Sequence, residues 1–359
     1  MEINQTASLK NTTRAQSSFI LGGNDVLYSE IDFLHDADKD DISWQESVVL
    51  MFDDRNEGVS GFLRIGSEPN RGTSQVHFNL TTDEGQRFRH NLVDLEMGRS
   101  DRTDDGFAAG SLIWRIPNNE YVHVTADEKD ASIDLCLFDY FPSMPCWKMI
   151  GVPDDMDVAA PHHYESSGRI EGRVRIGDRI INIENGLGHR DHSWGHRDTT
   201  IMRSFRWFAG TMGPELSFST LIFHDSEGRE GKGGWVVRDG TKHDLAGLDI
   251  LTYVNSDGFT IRGGVAEFVL ETGEKLHLKV DTLDGFATSY RSELGGYGFP
   301  FEVEGMSIVT CGDLAGFCDL EVGNLICGAA GPAAAICEEY GTTKRGLSRR
   351  PQLPSKLIS

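Results

Sequence analysis

Long apolar runs are missing from this sequence of 359 residues. The longest, Leu325 to Cys337, is interrupted by Gly328, Gly331 and Pro332. It falls short of the roughly 18 residues a membrane-crossing helix needs, so no span is expected. Positive charge is also scarce: 34 Lys and Arg stand against 56 Asp and Glu, a formal net charge of −22. A surface of that sign repels phosphate backbones and anionic headgroups, which argues against a nucleic-acid partner. The basic residues that cluster, Lys344, Arg345, Arg349, Arg350 and Lys356, lie among Ser and Pro without aromatic interleaving and read as a solvated tail over 341–359. Six cysteines, at 136, 146, 311, 318, 327 and 337, are too few and too irregular for a disulfide scaffold. They contain no CxxC pair for zinc. Met1 to Thr13 shows no apolar core behind a basic start, so no secretory signal is visible and a cytoplasmic location is expected.

Helical periodicity is equally hard to find outside Gly331 to Tyr340, and what replaces it is alternation with a period of two. Val76, Phe78 and Leu80 run into a Thr82-Asp83-Glu84-Gly85 turn, and Ile133, Leu135 and Leu137 alternate in the same way. Ile170, Val174 and Ile176 meet Ile181 and Ile183 across Gly177-Asp178, the signature of a hairpin. Phe268 and Leu270 join Leu276, Leu278 and Val280 through Glu271-Thr272-Gly273-Glu274. With 41 glycines to supply tight turns and bulges, the pattern predicts an all-β protein. Turn residues between Ile150 and His163 suggest a linker, dividing the chain into a β domain over 1–160 and another over 161–340. Gly295 to Pro300 reads as a turn, and Trp114, Trp147 and Trp235 read as core.

One segment departs from ordinary strand sequence. Gly186 to Asp198 holds three His, two Arg and two Asp, with Trp194, Phe205, Trp207 and Phe208 close by. Polar groups beside an aromatic wall must be paired to tolerate burial. Arg190 with Asp198 and Arg197 with Asp191 are the pairs the spacing offers. A regular strand would send Asp191 and Ser193 to one face and His192 and Trp194 to the other, unless bulges at Gly188 or Gly195 re-aim them. His189, His192 and His196, with His162 and His163 nearby, are numerous enough for a three-ligand metal site, but the glycines oppose the helix that would align them. His224 and His243 look like ordinary surface or turn residues.

The run Gly-x-Gly-x-Arg-Asp-His-Ser-Trp-Gly-x-Arg-Asp from Gly186 to Asp198, preceded by His163-Tyr164-Glu165 and a strand over Gly168 to Gly172, resembles a branch of the hydroxyneurosporene synthase (carotenoid 1,2-hydratase) and AttH-like superfamily. The resemblance is specific over about forty residues and architectural elsewhere. It implies two lipocalin-like antiparallel barrels packed together around an apolar ligand cavity. It also implies an aspartate that protonates an isolated alkene, and Asp191 matches that position, with Asp198 as the fallback. Protonating so weak a base requires a carboxyl group kept neutral by an apolar setting. The resulting carbocation is best held by aromatic faces, here Trp194, Trp207, Trp44 and Phe205. His192 is the candidate proton acceptor from water, with Tyr164 or Glu165 orienting that water. Trp44 equally suits packing, and Glu46 beside it is a further functional candidate. The expected function is thus a hydratase, dehydratase or cyclase acting on an isoprenoid-type apolar molecule with no organic cofactor and no metal. The alternatives are a carrier whose motif merely locks the two barrels together, and a metal-dependent hydrolase.

Overall fold

The computed structural model describes residues 28–98, 101–146, 149–150, 161–197, 202–225, 229–255, 260–292 and 296–324. Asp198, Trp147, most of the proposed linker, the Leu325 to Cys337 run with its two cysteines, the segment ending at Tyr340 and the basic tail lie outside the described residues.

Strands make up almost everything else. The first twelve are β1 (Trp44–Asp54), β2 (Val59–Glu68), β3 (Thr73–Thr82), β4 (Arg87–Glu96), β5 (Arg102–Thr103), β6 (Gly106–Ala109), β7 (Leu112–Arg115), β8 (Val122–Glu128), β9 (Ala131–Asp139), β10 (Met144–Pro145), β11 (His162–Ile176) and β12 (Arg179–His196). They form one antiparallel sheet in the order β4-β3-β2-β1-β12-β11-β9-β8-β7-β6-β5, with β10 against β11. The remaining eight are β13 (Met202–Thr211), β14 (Leu216–Asp225), β15 (Glu230–Arg238), β16 (Thr241–Val254), β17 (Ile261–Leu270), β18 (Lys275–Ser292), β19 (Gly296–Cys311) and β20 (Leu314–Asn324). These close on themselves as an antiparallel barrel, β20 pairing back onto β13. Closure removes the exposed edges that an open sheet must protect. The all-β, two-unit, lipocalin-like expectation therefore holds, with the first unit an open half-barrel.

The division between the units differs from the expected one near residue 160. β11 and β12 belong to the first sheet, because β12 pairs with β1 from Trp44↔His196 to Asp53↔Leu187 and β11 pairs with β9. The change of unit therefore falls between His196 and Met202, and the motif strand completes the first unit. Pairing between strands so far apart in sequence leaves no local signature. The expected hairpin turns at 82–85, 177–178 and 271–274 are present. Gly177 takes φ of 58°, a left-handed conformation that glycine adopts without a Cβ penalty. Of the Gly295 to Pro300 segment, read from sequence as a turn, Gly295 lies outside the described residues and Gly296 onward opens β19, where Gly296 and Tyr297 pair with Ser292 and Arg291.

Apolar side chains pack each unit's interior. Val48, Leu50, Phe52, Phe78 and Leu135 belong to the first core, and Phe208, Phe218, Phe268 and Leu320 to the second. Trp114 and Trp235 are buried, as expected. A third cluster joins the units: Val49, Met51 and Phe62 from the sheet meet Phe205, Trp207, Leu221, Phe223 and Phe317 from the outside of the barrel. Consequently β1 and β2 are buried on both faces along their whole length, while β9 alternates. The seam between sheet and barrel is where buried polar side chains of both units meet. No helix among the described residues is long and apolar enough to cross a membrane.

Candidate active site in the seam between the units

The motif strand runs straight through the middle of the first sheet. Its register with β1 is unbroken from Leu187 to His196, so Gly188 and Gly195 do not host the bulges considered from sequence. Regular alternation then sorts its side chains, since residues directly across a ladder share a face. Asp191 lies opposite Val49 and Glu165, and His189 opposite Met51 and Ser167. Val49 and Met51 belong to the seam cluster, so His189, Asp191, Glu165, Ser167 and His163 all face the barrel. Arg190, His192, Trp194 and Tyr164 face the opposite way.

Glu165 is the hub of the seam. Its carboxylate receives the Cys146 thiol at 2.6 Å, the Trp207 indole N–H at 3.0 Å and His189 Nε2 at 2.8 Å, with His163 Nε2 at 3.3 Å. Ser167 Oγ lies 2.8 Å from His189 Nδ1, which fixes that ring from its other side. A carboxylate with this many donors tolerates complete burial. Burial, with Glu165 beside it, pushes the Cys146 thiol well above its usual range, so it is a hydrogen-bond donor and not a thiolate nucleophile. Asp191 forms an ion pair with His163. Burial alone would raise the Asp191 pKa, but His163, with Arg197 beyond it, outweighs burial and holds the carboxyl below its ordinary value. Asp191 is thus ionised at neutral pH, the protonation state of a base and not of the expected acid.

Carboxyl groups of the opposite character face it from the barrel. Glu302, Glu304, Asp319 and Glu321 project from neighbouring strands β19 and β20 into the seam, all buried. Oxygens of Glu302, Glu304 and Glu321 lie within 4.8 Å of one another. The four associate as two hydrogen-bonded carboxyl pairs, Glu302 with Glu321 and Glu304 with Asp319. Loss of solvation raises all four, Glu302 to about 8 and Asp319 to about 6; for Glu304 and Glu321 repulsion from neighbouring carboxyls adds to it and carries them well above the usual carboxylate range. Arg64 and Arg197 moderate Glu302, and Gly305 N–H donates to Asp319 Oδ1 at 2.8 Å. Glu321 is the cross-strand neighbour of Trp207, and the charge of Asp191 acts on it across the seam. Among the aromatic candidates, Trp207 and Phe205 therefore lie on the same face as these acids. Gly323 makes this possible for Phe205, because a Cβ there would overlap its ring.

The remaining motif side chains serve the other face. Arg190 is fully buried and bridges Asp139 through two nitrogens, at 2.9 and 2.8 Å, and Asp32 at 2.8 Å. Asp198, the partner considered from sequence, lies outside the described residues. Arg197 donates to Ser193 Oγ at 2.6 Å, and its charge helps to lower the Asp191 pKa. His192 points away from Asp191, with Nε2 3.1 Å from Glu46 Oε1 and Nδ1 2.8 Å from the Ile31 carbonyl. Trp194 stacks on His35 at 3.5 Å and on Tyr164 at 5.3 Å, and Trp44 lies under Arg102. His196 pairs with Asp41 near the surface. The five histidines weighed from sequence as metal ligands are thereby divided between two faces. The four barrel carboxyls carried no sequence signal beyond alternation, which reads as a solvent-facing strand edge.

The chain belongs to the family described as a domain of unknown function, DUF7064, whose model matches residues 28–326. No curated protein sequence matches it significantly. Its fold is that of several solved structures. An AttH-like protein from Nitrosomonas europaea superposes with a TM-score of 0.61 at 12% identity, covering 86% of this chain and 99% of its own. Kievitone hydratase from Nectria haematococca gives 0.53 at 10%, covering 82% and 94%. CghA solved with Sch210972 gives 0.56 at 12%, covering 80% and 90%. These likenesses agree with the hydratase and AttH-like fold family that the motif resembles.

Proposed function

We propose that this protein is an acid–base enzyme of hydratase or cyclase type acting on a carbon–carbon double bond of an apolar, isoprenoid-class molecule, with its chemistry in the seam between sheet and barrel. The observation that carries this reading is the meeting of neutral carboxyl groups on β19 and β20 with the ionised Asp191 of β12. A hydration needs both: a neutral carboxyl to protonate carbon, and a base to take a proton from the incoming water. Glu321, hydrogen-bonded to Glu302, is the acid, and the Asp191–His163 pair is the base. The alkene π pair takes the Glu321 proton, leaving a tertiary cation beside the faces of Trp207 and Phe205. Water adds to the cation and loses its proton to Asp191–His163; capture by a second double bond instead closes a ring and leaves a new cation, which forms an alkene by giving an adjacent C–H proton to the same base. Proton return from the base to the carboxyl pairs resets the site. Positioned acid–base groups contribute roughly 10² to 10⁴-fold, and the buried seam supplies electrostatic stabilisation beyond that. The kinship of fold with kievitone hydratase supports this class of reaction.

A second reading, a carrier in which the seam only locks the two units, draws on the full burial of Glu165 and its several donors. The two are separated by incubating wild type, Glu321→Gln and Asp191→Asn with prenylated phenols and open-chain isoprenoid alkenes in ¹⁸O-labelled water. The enzyme reading expects labelled or cyclised product from wild type and at least about a hundredfold loss in both variants, with folding retained. Turnover that survives in both variants overturns the assignment. Unfolding of Asp191→Asn without any wild-type product favours the lock.

A further inference from the structure

On the face of β12 turned away from the seam, a second group of titratable side chains is left unused by this chemistry. His35 precedes β1, Glu46 lies in β1 and His192 in β12. Glu46 Oε1 is 2.9 Å from His35 Nδ1 and 3.1 Å from His192 Nε2, and the three atoms lie within 4.8 Å of one another. We propose that His35, Glu46 and His192 form a binding site for a first-row divalent transition-metal ion.

The geometry suits an ion. Two ligands at about 2.1 Å from a metal and at right angles to it are about 3.0 Å apart, close to both separations seen here. Each ligand atom is already aimed. The Ile31 carbonyl, 2.8 Å from His192 Nδ1, places the proton on that nitrogen and leaves the Nε2 lone pair for the metal. Arg102 Nη2 occupies Glu46 Oε2 at 2.7 Å and holds the His35 carbonyl at 2.8 Å, while Oε1, oriented by the His35 backbone N–H at 3.0 Å, is the oxygen turned to both imidazoles. The His35 ring is held parallel to Trp194 at 3.5 Å, and the His192 ring meets Phe107 edge-on at 5.5 Å. Outer contacts of this kind orient ligands before a metal arrives. Two imidazoles and one carboxylate, with coordination positions left open, are the donor set of zinc and non-haem iron sites, whereas magnesium and calcium prefer all-oxygen shells. Glu46 and His192 are buried, and His35, 23% exposed, gives solvent its approach. Arg102 opposes a cation electrostatically, so the site favours ligands that bond covalently to imidazole over hard ions.

Titrating the purified full-length protein with Co²⁺ and following its visible ligand-field absorption tests the proposal. One Co²⁺ per chain is expected, displaced by Zn²⁺ and lacking a thiolate charge-transfer band. His35→Ala, a change at a partly exposed residue outside the sheets, is expected to weaken binding at least tenfold, and His192→Gln likewise. Absence of a stoichiometric Co²⁺ spectrum in wild type overturns the proposal. So does unchanged affinity in His35→Ala, or a thiolate band lost in Cys146→Ser, which would place the ion at Cys146, His163 and Glu165 instead.

Discussion

Raising the pH from about 5 to about 8 is expected to destabilise this protein, because the barrel-side carboxyls of the seam hold their protons to higher pH when folded than when exposed. A carboxyl whose folded pKa is raised binds more protons in the native state than in the unfolded one. Stability from that group is complete below the unfolded pKa and is lost as pH rises through the folded value. For Glu302 the window runs from 4.5 to about 8. At about 1.4 kcal/mol per pKa unit, that interval is worth on the order of 5 kcal/mol as an upper figure. Asp319, raised from 3.8 to about 6, adds in the same direction at lower pH. The loss is a large part of the 5–15 kcal/mol by which domains are typically stable. Urea denaturation at intervals across this range measures it directly. Wild type should show a falling midpoint, and Glu302→Gln, which keeps the shape and cannot ionise, should show a shallower fall and exceed wild type at about pH 8. A wild-type midpoint that is flat or rising over the range, or a Gln variant as steep as wild type, would refute the reasoning.

Arg190→Ala should cost about 3–5 kcal/mol in the same assay, because Asp139 and Asp32 would be left buried and uncompensated; a loss below about 1 kcal/mol would mean that both carboxyls are already neutral. Gly323→Ala should lower stability by about 1–3 kcal/mol by driving a methyl into the Phe205 ring, and an unchanged thermal midpoint would contradict that packing. Turnover should decline as pH rises past about 8, where Glu302 gives up the proton that backs Glu321, and a rate that keeps rising above that pH would count against carboxyl acid catalysis.

Local periodicity carried the strands and their hairpin turns, since side chains alternate wherever one face is covered. It misread what covers the other face. In β3 the sequence Gln75-Val76-His77-Phe78-Asn79-Leu80 looks half solvent-exposed, yet Gln75, His77 and Asn79 are as buried as the apolar residues between them, because the barrel packs on that side. Glu302, Glu304, Asp319 and Glu321 were hidden in the same way: an acidic residue at every second position is what a wet strand looks like. The motif's density of polar groups was legible in the sequence, but the faces to which its side chains turn were not. Asp191 and His192 are adjacent in sequence and therefore on opposite faces of one strand, so a single catalytic cluster could not contain both. The partners of Arg190 lie 51 and 158 residues away, and only long-range pairing of β12 with its neighbours could assign them.

Infrared difference spectroscopy with ¹³C-labelled glutamate tests the central claim most directly. At neutral pH the account predicts a protonated-carboxyl carbonyl band that shifts with the label, weakens in Glu321→Gln and disappears on alkaline titration. A spectrum in which every glutamate is already ionised at neutral pH would leave the seam without an acid and contradict the account.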